Sequence, residues 1–256
     1  MAFPLTHLCV AWRILEINPL PEKDAAQFLL GSISPDAIHY RAEFQDAAKS
    51  NIGAAKKITH LCPVSCERWG QVTDNVGWVN CVKAFLAENP DSFAAGYATH
   101  VLTDIHNNRT IWERFRTNHP AEAAKGYTSG YYEDLKNIDT RLYRHLALKW
   151  AEASRKIGGL KPFFGVAEAQ FQSKSLYQEF PANAQIFSLL EKAEPADMPG
   201  LVHANEVDEI RQSLLQEWNK HTANLPAPPQ NYSFVTWEDT LNFIQEAAEF
   251  CIRLLA

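Results

Sequence analysis

The segment GYATHVLTDIHNN, residues 96–108, has an apolar helical pattern that is interrupted by His100 and Asp104. At about 3.6 residues per turn, these two side chains leave the same helix face with Cβ atoms roughly 5–6 Å apart. The neighbouring Tyr97 and Val101 indicate that this face points into a core, where an unpaired carboxylate or imidazolium is costly. An imidazole and a carboxylate on adjacent turns can chelate a zinc-like cation. The alternative is a His–Asp hydrogen bond or an ion pair on the helix surface.

Helical patterns continue on both sides of this segment. Pro4 and Pro21 stand where proline favours helix starts, Gly31 ends the second pattern, and TWED at 236–239 reads as a capping box. No convincing period-two strand is found. The sequence therefore predicts an all-α fold, a multi-helix bundle forming one domain over residues 1–256, with helices from about Pro4 to Ile17 and over about 21–31, 76–88, 91–107, 109–117, 130–154, 183–193, 203–222 and 236–255.

The composition excludes several classes of protein. Hydrophobic residues make up 46% of the chain and charged residues only 21%, which favours a folded domain over disorder. The net charge is −6, so the chain has no excess of basic residues to neutralise phosphates, and no nucleic-acid partner is expected. No apolar window of about eighteen residues predicts a transmembrane span. The apolar run near the start lacks signal-peptide features, so we expect a cytoplasmic protein, of unknown oligomeric state.

The five cysteines fit reduced thiols better than a disulfide framework. Cys62 and Cys66, close to His60, offer an alternative soft-metal site. Their spacer contains Pro63, and no second thiol pair follows, which argues against a zinc knuckle. The seven tryptophans are assigned to the core and given no function.

Several side chains in the first half of the chain could bind a hard or borderline cation. Taken singly, a histidine on an apolar helix is more often a hydrogen-bonded core residue, and an Asp after Pro is more often a cap. Several such residues with apolar neighbours together favour a metal centre. The candidates are His7, Asp36, His39, His60, His100, Asp104 and His106.

Four short motifs occur in a fixed order: TH at 6–7, FLLGSISPD at 28–36, THLC at 59–62 and GYATHVLTD at 96–104. This ordered set resembles the zinc-dependent phospholipase C family, especially its small, unsecreted bacterial members of unassigned substrate. The resemblance covers about the first 110 residues and extends weakly to YYEDLKNIDTRLY at 131–143. It implies a helical bundle of the phospholipase C and zinc nuclease type.

The resemblance also implies a set of site residues. Asp104 would bridge two ions, and Asp36 would act both as a ligand and as the catalytic general base. One or two Zn²⁺ ions are expected, with Mn²⁺ or Fe²⁺ as alternatives that depend on availability in the cytoplasm. The implied ligands are His7, Asp36, His60, His100 and Asp104.

The secreted members of that family hold three zinc ions, and this chain departs from them at the third metal site. Thr110 stands where those members have a histidine six residues after the bridging Asp, and no HxxxE pair follows. Glu133 stands near the position of the family's glutamate, with Asp134 and Asp139 close by in sequence. His106 would project from another helix face than Asp104. A third ion is therefore not expected.

The sequence predicts a metal-dependent phosphoester hydrolase acting on a small phosphoester or a phospholipid. The alternative is a non-catalytic helical metal-binding or regulatory protein with a depleted cluster. An HD-type phosphohydrolase is set aside because the chain has no His-Asp dipeptide. Threonines directly before three of the histidines could orient the imidazoles or serve as ordinary caps: Thr6, Thr59 and Thr99.

Overall fold

Helices account for all the regular elements in the computed structural model, which describes residues 3–44, 52–65, 72–155, 186–223 and 232–255. Three short 3-10 helices cover Ser34–Tyr40, Ala42–Phe44 and Gly126–Thr128. The all-α prediction is confirmed. The α-helices are α1 Pro4–Ile17, α2 Glu22–Gly31, α3 Ile52–Thr59, α4 Asn75–Glu88, α5 Ser92–Arg109, α6 Ile111–Asn118, α7 Pro120–Ala123, α8 Gly130–Arg155, α9 Ile186–Lys192, α10 Ala204–Ala223 and α11 Trp237–Leu255.

The helix boundaries follow the sequence signals closely. Thr236 and Asp239 form the predicted capping box, because the Asp239 carboxylate accepts from the Thr236 N–H and the Thr236 hydroxyl accepts from the Asp239 N–H. The sequence prediction missed α3 and the four-residue α7. Both are short, so their apolar period is too brief to recognise. None of the described helices is long and apolar enough to cross a membrane.

Helix α5 is the central element, and α1, α2, α4, α6 and α11 pack around it. Its crossing with α2 is close because each helix contributes a glycine. A Cβ atom on Gly31 would lie 2.0 Å from the Phe93 carbonyl oxygen, and one on Gly96 would lie 2.0 Å from the Phe28 carbonyl oxygen. These distances exclude a side chain at either glycine position. The crossing sets the position of the α5 segment that carries His100 and Asp104.

Helix α1 lies in the interior, with its first turn held by α8. The residue before α1, Phe3, gives no side-chain cap. Instead, the Asp139 carboxyl of α8 lies at the first turn of α1, where it accepts from the Thr6 hydroxyl at 3.4 Å and where the backbone N–H groups of Leu5 and Thr6 lower its pKa. A carboxyl from another helix therefore replaces the missing N-cap of α1.

A second carboxylate on α8 holds the segment that leads into the last helix. Asp134 Oδ2 accepts from the backbone N–H groups of Ser233, Phe234 and Val235, at 2.9, 2.6 and 3.1 Å. One hydrophobic core then joins buried residues of the first helix to those of the last, from Leu5 to Cys251. Both ends of the described chain thus contribute to the packing around α5.

Candidate metal centre

The five side chains singled out by the sequence motifs come together in the interior, although they lie on four different segments. Only 7% of Asp36 is exposed, and the other four residues are at most 2% exposed. Helix α5 supplies two of them, one turn apart, as the spacing predicted. The contributors are His7 from α1, Asp36 from the 3-10 helix Ser34–Tyr40, His60 directly after α3, and His100 and Asp104 from α5.

The potential ligand atoms of these residues form two overlapping groups, each with its atoms within 4.8 Å of one another. One group is His7, His100 and Asp104, and the other is Asp36, His60 and His100. Donor atoms bound at about 2.0–2.2 Å to one tetrahedral ion stand roughly 3.3–3.6 Å apart. Five donor separations in the cluster range from 3.3 to 4.0 Å, which is close to that size.

Hydrogen bonds to the backbone fix which nitrogen of His100 faces the cluster. Its Nδ1 lies 2.9 Å from the carbonyl oxygen of Ser32. Because a carbonyl oxygen can only accept, Nδ1 must carry the hydrogen, and the Nε2 of the neutral ring presents a lone pair. Nε2 then points at His60 Nε2, 3.3 Å away.

His60 is oriented in a similar way. Its Nδ1 lies 2.9 Å from Thr59 Oγ1, and that hydroxyl donates to the Lys56 carbonyl oxygen. In the tautomer with the hydrogen on Nδ1, the hydroxyl accepts from His60, and His60 Nε2 presents a lone pair toward His100. With lone pairs on both Nε2 atoms, a cation between the two rings would be coordinated by both nitrogens.

His7 is a buried imidazole without a hydrogen-bond partner at either ring nitrogen. Its ring stacks on His100, with centroids 3.6 Å apart and planes inclined by 8°. Its Nε2 lies 3.6 Å from Asp104 Oδ1, which is too far for a hydrogen bond. Burial and the neighbouring His100 lower the pKa of His7 to about 3. A neutral, unpaired, buried imidazole costs free energy unless a further group such as a metal ion pairs with it.

The two carboxylates carry the negative charge of the cluster. Burial alone would raise the pKa of Asp36, but the nearby Lys56 ammonium and the His60 ring hold it well below its usual range. Burial likewise opposes ionisation of Asp104, and His7 is foremost among the groups that keep its pKa below normal. Burial lowers the pKa of His60 to about 4. Neutral imidazoles and ionised carboxylates are the donor set that a zinc-like cation prefers.

The end of α3 is built to place His60. The Cys62 N–H bonds to the Lys57 carbonyl oxygen, and Leu61 between them has a φ of 52°, so the helix ends in a left-handed turn. Trp78 Nε1 donates to the His60 carbonyl oxygen at 2.7 Å. Trp78 was expected only to fill the core, and it also positions a site residue.

Sequence reasoning missed Lys56, which lies in the cluster beside Asp36. Its Nζ is 3.1 Å from Asp36 Oδ1, and only 6% of its side chain is exposed. The available signal was its spacing in KKITH, four residues before His60, the same spacing as that from His100 to Asp104. His39 Nε2 lies 3.8 Å from Asp36 Oδ1 with 47% of its side chain exposed, so Asp36 marks the side of the cluster nearest to solvent.

The other residues considered for metal binding in the sequence analysis lie outside the cluster. His106 projects from a different face of α5, as expected, with its Nε2 3.7 Å from Glu246 of α11. The Thr110 hydroxyl donates to the His106 carbonyl oxygen at the end of α5, and Glu133 is exposed on α8. Asp134 and Asp139 accept the backbone hydrogen bonds described above.

The three threonines differ in their contacts. Thr59 holds the ring of His60, whereas the hydroxyls of Thr6 and Thr99 donate to Asp139 and to the Ala95 carbonyl oxygen. Thr99 therefore has the ordinary helix-backbone contact of a threonine. The alternative site of Cys62 and Cys66 cannot be assessed, since Cys66 lies outside the described residues.

Comparisons with known proteins add no relative. Neither a protein-family model, nor a curated protein, nor a solved structure matches this chain. The resemblance to the phospholipase C family therefore remains an expectation from the four ordered motifs, and the candidate metal centre rests on the geometry of the buried cluster.

Proposed function

We propose that the protein is a metal-dependent phosphoester hydrolase of the phospholipase C type, with a bundle fold of that family. The observation that carries the metal centre is the pair of ring nitrogens, His60 Nε2 and His100 Nε2, facing each other at 3.3 Å beside two carboxylates. The unpartnered nitrogens of buried His7 support the same proposal. The reaction class comes from the ordered motifs that resemble the family.

Each side chain of the cluster has a proposed part in holding the ion. His60 and His100 offer Nε2 while their Nδ1–H groups are engaged with Thr59 Oγ1 and the Ser32 carbonyl oxygen. Asp104 extends Oδ1 toward His7 Nε2 and Oδ2 toward His60 Nε2, at 3.6 and 3.8 Å. The hydrogen bonds at Nδ1 fix the rings of His60 and His100 before the ion binds, so less side-chain entropy is lost when it binds.

Asp36 is the proposed catalytic carboxylate. A bound divalent ion would lower the pKa of a coordinated water and polarise the oxygens of a phosphoester. Asp36 is the most exposed of the five residues, and it lies beside half-exposed His39, so it can meet a water on the solvent side of the cluster. Its Oδ1 is held by Lys56, which fixes the carboxylate for orienting or deprotonating that water.

The test begins with metal content and proceeds to turnover. We expect near-stoichiometric zinc, manganese or iron in the native protein by elemental mass spectrometry. The loaded protein is then assayed against a phosphomonoester, a phosphodiester and phospholipid vesicles, with Asp36→Asn as the variant. Metal-dependent hydrolysis that Asp36→Asn slows by about 10²-fold or more would support the proposal. Hydrolysis of none of the three substrate classes would contradict it.

One observation favours the non-catalytic alternative. Each of the five proposed ligands is at least nine-tenths buried, whereas a catalytic ion keeps a coordination position open to substrate. A structural ion would raise the thermal stability of the protein without supporting hydrolysis. Stoichiometric metal and a metal-dependent melting temperature, together with no turnover, would establish that role.

A further inference from the structure

The number of ions that the cluster can hold is limited by its shared donor. His100 belongs to both groups of candidate ligands, but its Nδ1 is engaged with the Ser32 carbonyl oxygen. Only Nε2 is available, and one nitrogen lone pair binds one ion. An ion bound by Asp36, His60, His100 and Asp104 leaves His7 Nε2 and Asp104 Oδ1 as the cluster's remaining donor pair near His7. Zinc sites usually have three or four protein ligands, so this remaining pair is too small to hold a second ion.

A positive charge already stands on the Asp36 side of the cluster. Lys56 Nζ is 3.1 Å from Asp36 Oδ1, the same oxygen that lies 3.5 Å from His60 Nε2. In a two-ion centre, a carboxylate in the position of Asp36 would bridge two metal cations about 3.5–4 Å apart. Here Asp36 links the ion position, marked by His60 and His100, to an ammonium group.

The charge balance agrees with a single ion. Two ionised carboxylates and one lysine give the buried cluster a formal charge of −1, from Asp36, Asp104 and Lys56. One divalent ion brings this charge to +1, and a second would bring it to +3. Burying such an excess of unpaired charge is strongly unfavourable.

We propose that Lys56 takes the place of a second metal cation, so that the centre consists of one divalent ion and one fixed ammonium group joined through Asp36. This inference rests on the proposed metal centre and adds the number of ions and the part played by Lys56. Its direct consequence is that Lys56 repels the bound ion. Removing its charge must therefore tighten metal binding, whereas a purely structural lysine would leave the affinity unchanged or weaken it.

The experiment titrates the full chain with Mn²⁺ and follows the free ion by electron paramagnetic resonance. The variants are Lys56→Met, Lys56→Gln and Lys56→Arg, with Lys57→Met, the adjacent lysine on α3, as the matched control. We expect one Mn²⁺ per chain in the native protein, in Lys56→Arg and in Lys57→Met, at similar affinity. Lys56→Met and Lys56→Gln should bind the ion about tenfold more tightly or better, because a like charge has been removed. Circular dichroism verifies that each variant is folded.

The possible failures are distinguishable. Two Mn²⁺ per native chain with a spin-coupled spectrum would overturn the inference, and this result needs no variant. One ion bound equally well or less well by folded Lys56→Met and Lys56→Gln would overturn the role proposed for Lys56 and leave the proposed metal centre intact. No binding of Mn²⁺ by the native protein would overturn the inference, and the absence of zinc, manganese and iron from its elemental analysis would overturn the proposed metal centre as well.

Discussion

The ring of His7 lies parallel to that of His100, with centroids 3.6 Å apart, and this stack joins the first helix to the centre of α5. Stacking gives no partner to the nitrogens of His7, and neither one has a hydrogen bond. In the single-ion centre, the ion is bound by His100, and the stack then connects that ligand to α1. Metal binding and the stability of the helix bundle should therefore be coupled.

Replacing His100 by alanine should remove the metal and the stability that it provides. The control is His106→Ala, which alters the same helix outside the cluster. We expect less than a tenth of the native metal content in His100→Ala by elemental mass spectrometry and native content in His106→Ala. Chelation should lower the free energy of unfolding of the native protein by about 3–4 kcal/mol if metal is present at 100–1,000 times its dissociation constant. The same treatment should leave His100→Ala unchanged. Full metal content in His100→Ala would contradict the ligand assignment.

The glycine crossing predicts a strong effect of one methyl group. Gly96→Ala would place its Cβ 2.0 Å from the Phe28 carbonyl oxygen, so α2 and α5 must move apart. We expect a loss of about 3 kcal/mol or more in urea unfolding, in the range of severe overpacking. Since Gly96 lies one turn before His100, metal affinity should fall as well.

The matched control for this substitution is Gly53→Ala. A Cβ at Gly53 meets no atom within 4 Å, and the residue lies in the first turn of α3. Alanine there should stabilise the protein by about 0.5–1 kcal/mol. Equal effects of the two substitutions would show that helix propensity, rather than the close crossing, determines the result.

Much of this architecture follows from local signals. The helix starts at Pro4 and at the Thr236 capping box depend on residues adjacent in sequence, and both are found. The shared face of His100 and Asp104 depends only on helical periodicity, and these side chains do point into the interior. Such features need no knowledge of how the helices pack.

The features that were missed depend on contacts between distant segments. Lys56 gains its role only because α3 packs beside the 3-10 helix that carries Asp36, and its spacing from His60 in KKITH does not identify Asp36 as its partner. The Asp139 cap of α1 joins residues 133 positions apart. Periodicity predicts which face of a helix is buried, but it does not predict which partner meets that face.

Replacing Asp134 by alanine should greatly lower the stability of the protein and leave metal binding unchanged. Its carboxylate accepts three backbone N–H groups from Ser233, Phe234 and Val235. Asp134→Ala leaves these groups without that partner, and we expect a loss of about 2–4 kcal/mol in urea unfolding. The control is Glu133→Ala, an exposed neighbour whose replacement should change stability by less than about 0.5 kcal/mol. A loss of metal in Glu133→Ala would instead revive a third metal site on α8.

Asp139 should make the stability of the metal-free protein depend on pH. Burial raises the pKa of its carboxyl to about 7, although hydrogen bonds from Leu5 and Thr6 favour the ionised form. Between about pH 4 and pH 7, the folded state therefore holds a proton that the unfolded state has lost, and the contribution of Asp139 to stability falls as the pH rises. Because the side chain is partly exposed, we expect a change of about 2 kcal/mol rather than the full shift.

Asp139→Asn should remove this pH dependence, because an amide oxygen can still accept from the first turn of α1 but does not titrate. The measurement is urea unfolding of the native protein and the variant from pH 4.5 to pH 8 in the presence of a chelator. Subtracting the two curves cancels the other ionisable groups. The variant should gain about 2 kcal/mol relative to the native protein across this range, with most of the gain below pH 7. A difference that stays constant with pH would mean that Asp139 is ionised throughout, so that its hydrogen bonds to α1 outweigh the cost of burying its charge.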